Sequence, residues 1–282
     1  MPSHCTCHQS CRRDNILTKK DLFNIGLAAA VGALLLGAAQ AAPLGAAVAA
    51  GIGIYQATLQ EAKNVTPEIS TAELQDILAK GSAVVFDARP YAEYAISHIP
   101  GALNAAAKPG VSKAQYVSDV AEVGRVVNGD KTKAIVLYCN GPFCPKSKFL
   151  SEELKAAGYT NVRRYQLGAP VWRALAGTMQ IEPDGIKHVF ANDRTSWLVD
   201  ARDAQAFAGG TVANARNIPL DQVAASKGDG RLPMQDHNTR ILVFGADGKQ
   251  ARAVAAELAK SAFHNVTFFD GDVAAFQAAV SK

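Results

Sequence analysis

The chain has 282 residues, 49% of them hydrophobic and 19% charged, which suits a folded protein with a real core and, by length, about two domains. Its formal charge is only +4, and half of that comes from the first 21 residues, where Arg12, Arg13, Lys19 and Lys20 stand against Asp14 and Asp21. So weak and so localised a charge excludes a nucleic-acid footprint. Residues 1–24 form a basic tail carrying Cys5, Cys7 and Cys11 with His4 and His8. Their spacing fits no strong zinc pattern and lacks the Cys-x-x-Cys-His of haem attachment, so no metal and no cofactor is called for.

No charged residue occurs between Asp21 and Glu61, and residues 25–55 are almost wholly Ala, Gly, Leu, Val and Ile. An apolar run longer than ~18 residues reads as a membrane span or export signal. Basic residues on its N-terminal side predict that the N-terminus stays inside and the remainder is exported. Ala39-Gln40-Ala41, followed by Pro43, looks like a signal-peptide cleavage site, whereas continuation of the run through 44–55 suits an uncleaved anchor. The Ala/Gly-rich composition is also compatible with a buried helix. The expectation is a transmembrane helix at 25–55 with the rest exported, on the periplasmic side in a bacterium. The alternative is cleavage after Ala41 and a soluble exported protein.

From residue 66 onward, short apolar strands alternate with helical patterns. Ser70-Thr71-Ala72-Glu73 is a capping-box signature opening a helix over 71–80. Strands are predicted at 83–87 and 134–138, a helix from Lys146 to Gly158, a strand at 162–167, and a helical segment after Gly168. Residues 178–195, polar and irregular around Glu182-Pro183-Asp184-Gly185, read as a linker. Such alternation predicts an α/β fold with parallel sheets and helices on both faces, its sites at the carboxyl ends of strands.

The strand at 134–138 ends on Cys139, and the loop Cys139-Asn140-Gly141-Pro142-Phe143-Cys144-Pro145 leads into the helix at Lys146. A thiol at the end of a buried strand, facing a helix start, meets loop N–H groups and the positive end of a helix dipole. Both favour the nucleophilic thiolate. Cys139 is the candidate nucleophile; Cys144 is an alternative nucleophile or a resolving thiol. Asn140, Gly141, Pro142, Phe143, Pro145 and Lys146 form the loop around them. Once past an export segment, Cys139 and Cys144 are the only thiols, in a compartment that permits disulfides.

The chain also repeats itself. Val85-Phe86-Asp87-Ala88-Arg89 recurs as Leu198-Val199-Asp200-Ala201-Arg202, in a match that runs without a gap to Asn104 and Asn217. Ile135–Tyr138 matches residues 241–244, and 157–162 matches 261–266. Asp87 and Arg89 therefore read as a supporting ion pair at a strand end, and His98 as a hydrogen-bonded loop residue.

Both units resemble the rhodanese (sulfurtransferase) family. The resemblance covers about 66–282 and is carried by Asp87-Ala88-Arg89, Glu93-Tyr94, residues 97–102 and the strand–Cys139–loop–helix corner. It implies two rhodanese-like units, 66–180 and 190–282. It also implies that Cys139 takes a sulfane sulfur from a small-molecule donor such as thiosulfate, becomes a persulfide, and passes the sulfur to a thiophilic acceptor. The loop departs from the family pattern: it has a second thiol and no Arg at its end, which leaves the donor open and argues against a Cys-x5-Arg phosphatase. The second unit carries Gly245-Ala246-Asp247-Gly248 where the thiol should be and is expected to be inactive, the reverse of the usual order in two-unit members. Two other readings stand beside this one: a non-catalytic sulfur-carrier or partner-binding module, and a Cys139–Cys144 thiol–disulfide redox protein. The protein partner is unknown on any of the three.

Overall fold

The computed structural model describes residues 64–106, 119–142, 144–175 and 177–281. The tail, the apolar run at 25–55 and Phe143 lie outside the described residues. Among those described, no helix is long and apolar enough to cross a membrane.

The first repeat contains α1 (Thr71–Lys80), β1 (Val84–Asp87), α2 (Tyr91–Ile96), β2 (Leu103–Asn104), α3 (Asp119–Val126), β3 (Ile135–Tyr138), α4 (Lys146–Ala156), β4 (Val162–Tyr165) and α5 (Gly168–Ala174). The second contains β5 (Met179–Ile181), α6 (Pro183–Asn192), β6 (Trp197–Asp200), α7 (Ala204–Ala208), β7 (Arg216–Asn217), a 3-10 turn and α8 (Val223–Ser226), β8 (Ile241–Gly245), α9 (Gly248–Ala259), β9 (Val266–Asp272) and α10 (Val273–Val280). The strands form two parallel sheets, ordered β2-β1-β3-β4 and β5-β9-β8-β6-β7.

The central strands β1, β3, β6 and β8 are buried on both faces, which is why they read as near-continuous apolar runs. In the first sheet, Val85, Val136 and Tyr138 pack on Leu74 and Ile77 of α1 and on Trp172 of α5. On the opposite face, Phe86, Ile135 and Leu137 pack on Val123 of α3 and on Leu150 and Leu154 of α4. Alternate strand residues point to opposite faces, so one four-residue strand serves two cores. The second sheet repeats the plan, with Val199, Val243 and Phe268 against α9 and Leu198, Leu242 and Phe244 against Ile186 of α6 and Phe276 of α10.

Residues 178–195 are not a linker. β5 joins the second sheet beside β9, and α6 follows at once with Pro183 in its first turn. The first repeat opens the same way: Glu68 pairs parallel with Arg164 of β4, and α1 then begins behind its Ser70 capping box. The second repeat thus starts at residue 179, inside the span that the sequence assigned to the first unit. Gly185 masked the helix because a helix interior disfavours glycine. It is there because α6 presses on α2: a Cβ at Gly185 would lie 2.0 Å from the Ala95 carbonyl oxygen. The same junction holds Glu182 N–H on Ala95 O (2.8 Å) and a two-way backbone pair between His98 and Gln180 (3.0 and 2.8 Å).

Candidate active site

The carboxyl ends of β2, β1 and β3 align, with Asn104 opposite Asp87 and Asp87 opposite Tyr138. Cys139 follows directly and is 1% exposed. Its carbonyl accepts the Ala169 N–H (3.0 Å), tying the strand end to α5. The chain turns at Gly141, whose φ of 102° lies in the region that favours glycine. Cys144 N–H then donates to Gly141 O (3.0 Å), folding the loop back on itself. Cys139 and Cys144 are joined by a disulfide, with Cα atoms 6.2 Å apart. Cys144 is the half-buried partner of the two.

α4 opens at Lys146 with Pro145 at its N-cap, and no side chain caps it. The first N–H groups of a helix have no intrahelical acceptor and favour negative charge. The matching corner of the second repeat is different. There Asp247 caps α9 by accepting the Gln250 N–H (2.7 Å), and the Gln250 side chain accepts the Ala246 N–H (2.9 Å). Own side chains fill that corner, and no thiol lies in it.

Asp87 is fully buried and Arg89 is 3% exposed. Arg89 Nε donates to both Asp87 carboxylate oxygens (3.0 Å each), Nη2 donates to Ser97 O (2.6 Å), and Nη1 reaches Asn140 Oδ1 (3.4 Å). Burial works against the Arg89 charge, but the hydrogen bonds and field of Asp87 outweigh it and hold the guanidinium above its ordinary pKa. Asp200 and Arg202 repeat the pair, with Arg202 Nη2 on Gly210 O (2.7 Å) where Arg89 takes Ser97 O. Because the pair is kept where there is no thiol, its first task is to hold the strand end. Only in the first repeat does it extend to the Cys loop, through Asn140, whose Nδ2 donates to Glu93 Oε2 (2.5 Å).

His98 is buried, stacks on Tyr94 (3.9 Å between rings) and places Nδ1 3.0 Å from Tyr94 O. Desolvation pushes its pKa down to about 4, so it is neutral near pH 7 and its 3.5 Å approach to Glu182 is not an ion pair. Lys146 is exposed at the start of α4. The nearby Asp119 carboxyl is raised by burial and partly lowered by Lys146.

Four residues near the site were not singled out from the sequence. Asn104 donates to the carbonyls of Asp87 (3.1 Å) and Arg89 (2.9 Å), as Asn217 does to Asp200 and Arg202. The ungapped repeat ends on this pair, and that was the available signal. The fully buried Tyr138 accepts the Ile99 N–H at its hydroxyl (3.0 Å), and desolvation, then Asp87, raise its pKa well above the ordinary value. Gly168 has a φ of 65°, and a Cβ there would fall 2.3 Å from Cys139 O and 2.4 Å from Gly141 N. Arg173 donates to Ser97 Oγ (2.6 Å); desolvation, with Arg89 and Arg240 nearby, lowers its pKa to about 10. Nothing local in the sequence marks these last three.

A family model described as "Rhodanese-like domain" matches residues 70–175 and 184–279. The chain belongs to that family, with two copies of the domain. A curated relative, the HTH-type transcriptional regulator Rv0324 of Mycobacterium tuberculosis (strain ATCC 25618 / H37Rv), is 34% identical over 109 residues, 39% of this chain and 42% of that protein. Among solved structures, a thiosulfate sulfurtransferase from Pseudomonas aeruginosa is 21% identical (TM-score 0.33) over 73% of this chain and 43% of that one. The wild-type structure of EanB is 17% identical (TM-score 0.36) over 78% and 62%. The chain thus spans about two fifths of the regulator and of the sulfurtransferase.

Proposed function

We propose that the chain is a sulfurtransferase in which Cys139 takes a sulfane sulfur from a small anionic donor such as thiosulfate and hands it to a thiophilic acceptor. The observation that carries this reading is the contrast between the two equivalent corners. The first has a thiol pair beside an uncapped helix start; in the second, Asp247 and Gln250 occupy the amides and the thiol is gone. On reduction of the disulfide, Cys139 supplies the nucleophile. Its thiolate attacks the outer sulfur of the donor, forming a Cys–S–S bond while sulfite leaves with the electron pair of the cleaved bond. First-turn amides of α4 stabilise the persulfide anion, as preorganised donors do for any developing charge. The Asp87–Arg89 pair and Asn140 keep the loop in place.

The test is sulfite release from thiosulfate by the reduced full chain, with thiocyanate formed when cyanide is the acceptor. Activity lost in Cys139→Ser supports the reading; undiminished activity in that variant contradicts it. The Cys139–Cys144 bridge also favours a second reading, a dithiol redox protein. That reading predicts disulfide exchange with thiols and no sulfite from thiosulfate. A non-catalytic carrier would show neither. We further propose that residues 25–55 anchor the chain with both domains on the exported side. N-terminal sequencing of protein from a membrane fraction checks this, and a chain beginning at Ala42 contradicts the anchor.

A further inference from the structure

We infer that Cys144 resolves the Cys139 persulfide, so that the site releases hydrosulfide and is reset by an external dithiol. This rests on the sulfurtransferase reading but assigns a different acceptor step. Cys144 is held within bonding reach of Cys139 by its own N–H on Gly141 O, and the two sulfurs are bonded in the structure. A Cα separation of 6.2 Å lies within the range that disulfides span without backbone movement. Gly168, with no Cβ to intrude, lets α5 back directly onto the loop and fix this spacing. The second repeat has neither thiol, so the bridge is not a requirement of the scaffold.

The chemistry balances in three steps. Cys139 thiolate attacks thiosulfate, the Cys139 Sγ–sulfane bond forms and the sulfane–sulfonate bond breaks, releasing sulfite. Cys144 Sγ, losing its proton, then attacks Cys139 Sγ. The Cys139–Cys144 disulfide forms, the Cys139–sulfane bond breaks, and the sulfane sulfur leaves with the electron pair and a proton as hydrosulfide. The two cysteines are oxidised by two electrons and the sulfane sulfur is reduced to sulfide. A small dithiol then attacks the disulfide at Cys144, the more exposed of the two residues, and Cys139 departs as thiolate. The second thiol of the reductant frees Cys144. The net change is thiosulfate plus dithiol to sulfite, sulfide and disulfide.

The test is a single turnover. Full chain with Cys5, Cys7 and Cys11 changed to Ser is reduced, freed of reductant and mixed with thiosulfate, and sulfite, sulfide and the mass of the 139–144 peptide are followed. The inference predicts about one sulfide per chain and a peptide about 2 Da lighter, with sulfide turnover restored by dithiothreitol. Cys144→Ser is predicted to retain an adduct of about 32 Da on Cys139 and to release less than about a tenth of the sulfide until a thiol is added. A stable persulfide on Cys139 with Cys144 open to alkylation overturns the inference and leaves the sulfurtransferase reading intact. So does transfer of the sulfur to Cys144 as a second persulfide. Absence of sulfite as well sinks both.

Discussion

Asp87 and Arg89 sit at the very end of β1 with almost no water around them. Removing one partner of such a buried pair leaves the other uncompensated, which costs about 3–5 kcal/mol. Asp87→Ala should therefore lower unfolding free energy by about that amount in a denaturant titration, and Asp200→Ala by less, because Arg202 is closer to solvent. Loss of sulfur transfer in Asp87→Ala at unchanged stability would instead make Asp87 a donor contact. Gly168→Ala acts differently, forcing a Cβ between the Cys139 carbonyl and Gly141 at a positive φ. It should slow persulfide formation at least ~tenfold by displacing the loop, read as the rate of sulfite release. His98 contributes to the acid sensitivity. Its folded pKa of about 4 lies below its unfolded value, so the unfolded chain binds the extra proton between about pH 6.5 and 4. Its stabilising contribution is complete above about pH 6.5 and falls by up to about 3 kcal/mol on acidification through that window. His98→Gln should flatten that part of the stability–pH curve; an unchanged slope refutes the assignment.

At the scale of elements, β1 and β3 were legible to within a residue or two because apolar burial on both faces writes a near-continuous run into the sequence. α1 was legible because its capping box is local chemistry. β5 and α6 were not: a three-residue strand containing Gln180 carries little pattern, and Gly185 disguises the helix. What fixes them is contact with α2 and the His98–Gln180 pair, about 80 residues away in sequence, which no local window contains. The site was legible where chemistry is local, in Cys139 and its loop. It was not where a distant backbone closes on that loop, as at Gly168 and Arg173. Gly185→Val should wedge α6 off α2 at a cost of about 1–3 kcal/mol. The checks are thermal unfolding and faster amide exchange at His98 and Gln180. If exchange there is unchanged, the close approach does not hold the junction.

Over the whole molecule, two copies of one scaffold differ in chemistry at the corner that follows β3 in the first and β8 in the second. Both keep the strand-end ion pair, the asparagine beneath it and the strand order around it. Only the first keeps thiols and leaves its helix start uncapped by side chains. The second keeps the fold and supplies, through β5 and α6, the surface on which α2 packs. On the proposed function, all sulfur chemistry belongs to the first copy. The most direct check is the sulfite released when reduced full chain meets a stoichiometric amount of thiosulfate. The expected result is about one sulfite per chain, independent of Cys144 and abolished by Cys139→Ser. No sulfite from the unaltered chain, or the same amount from Cys139→Ser, would contradict it.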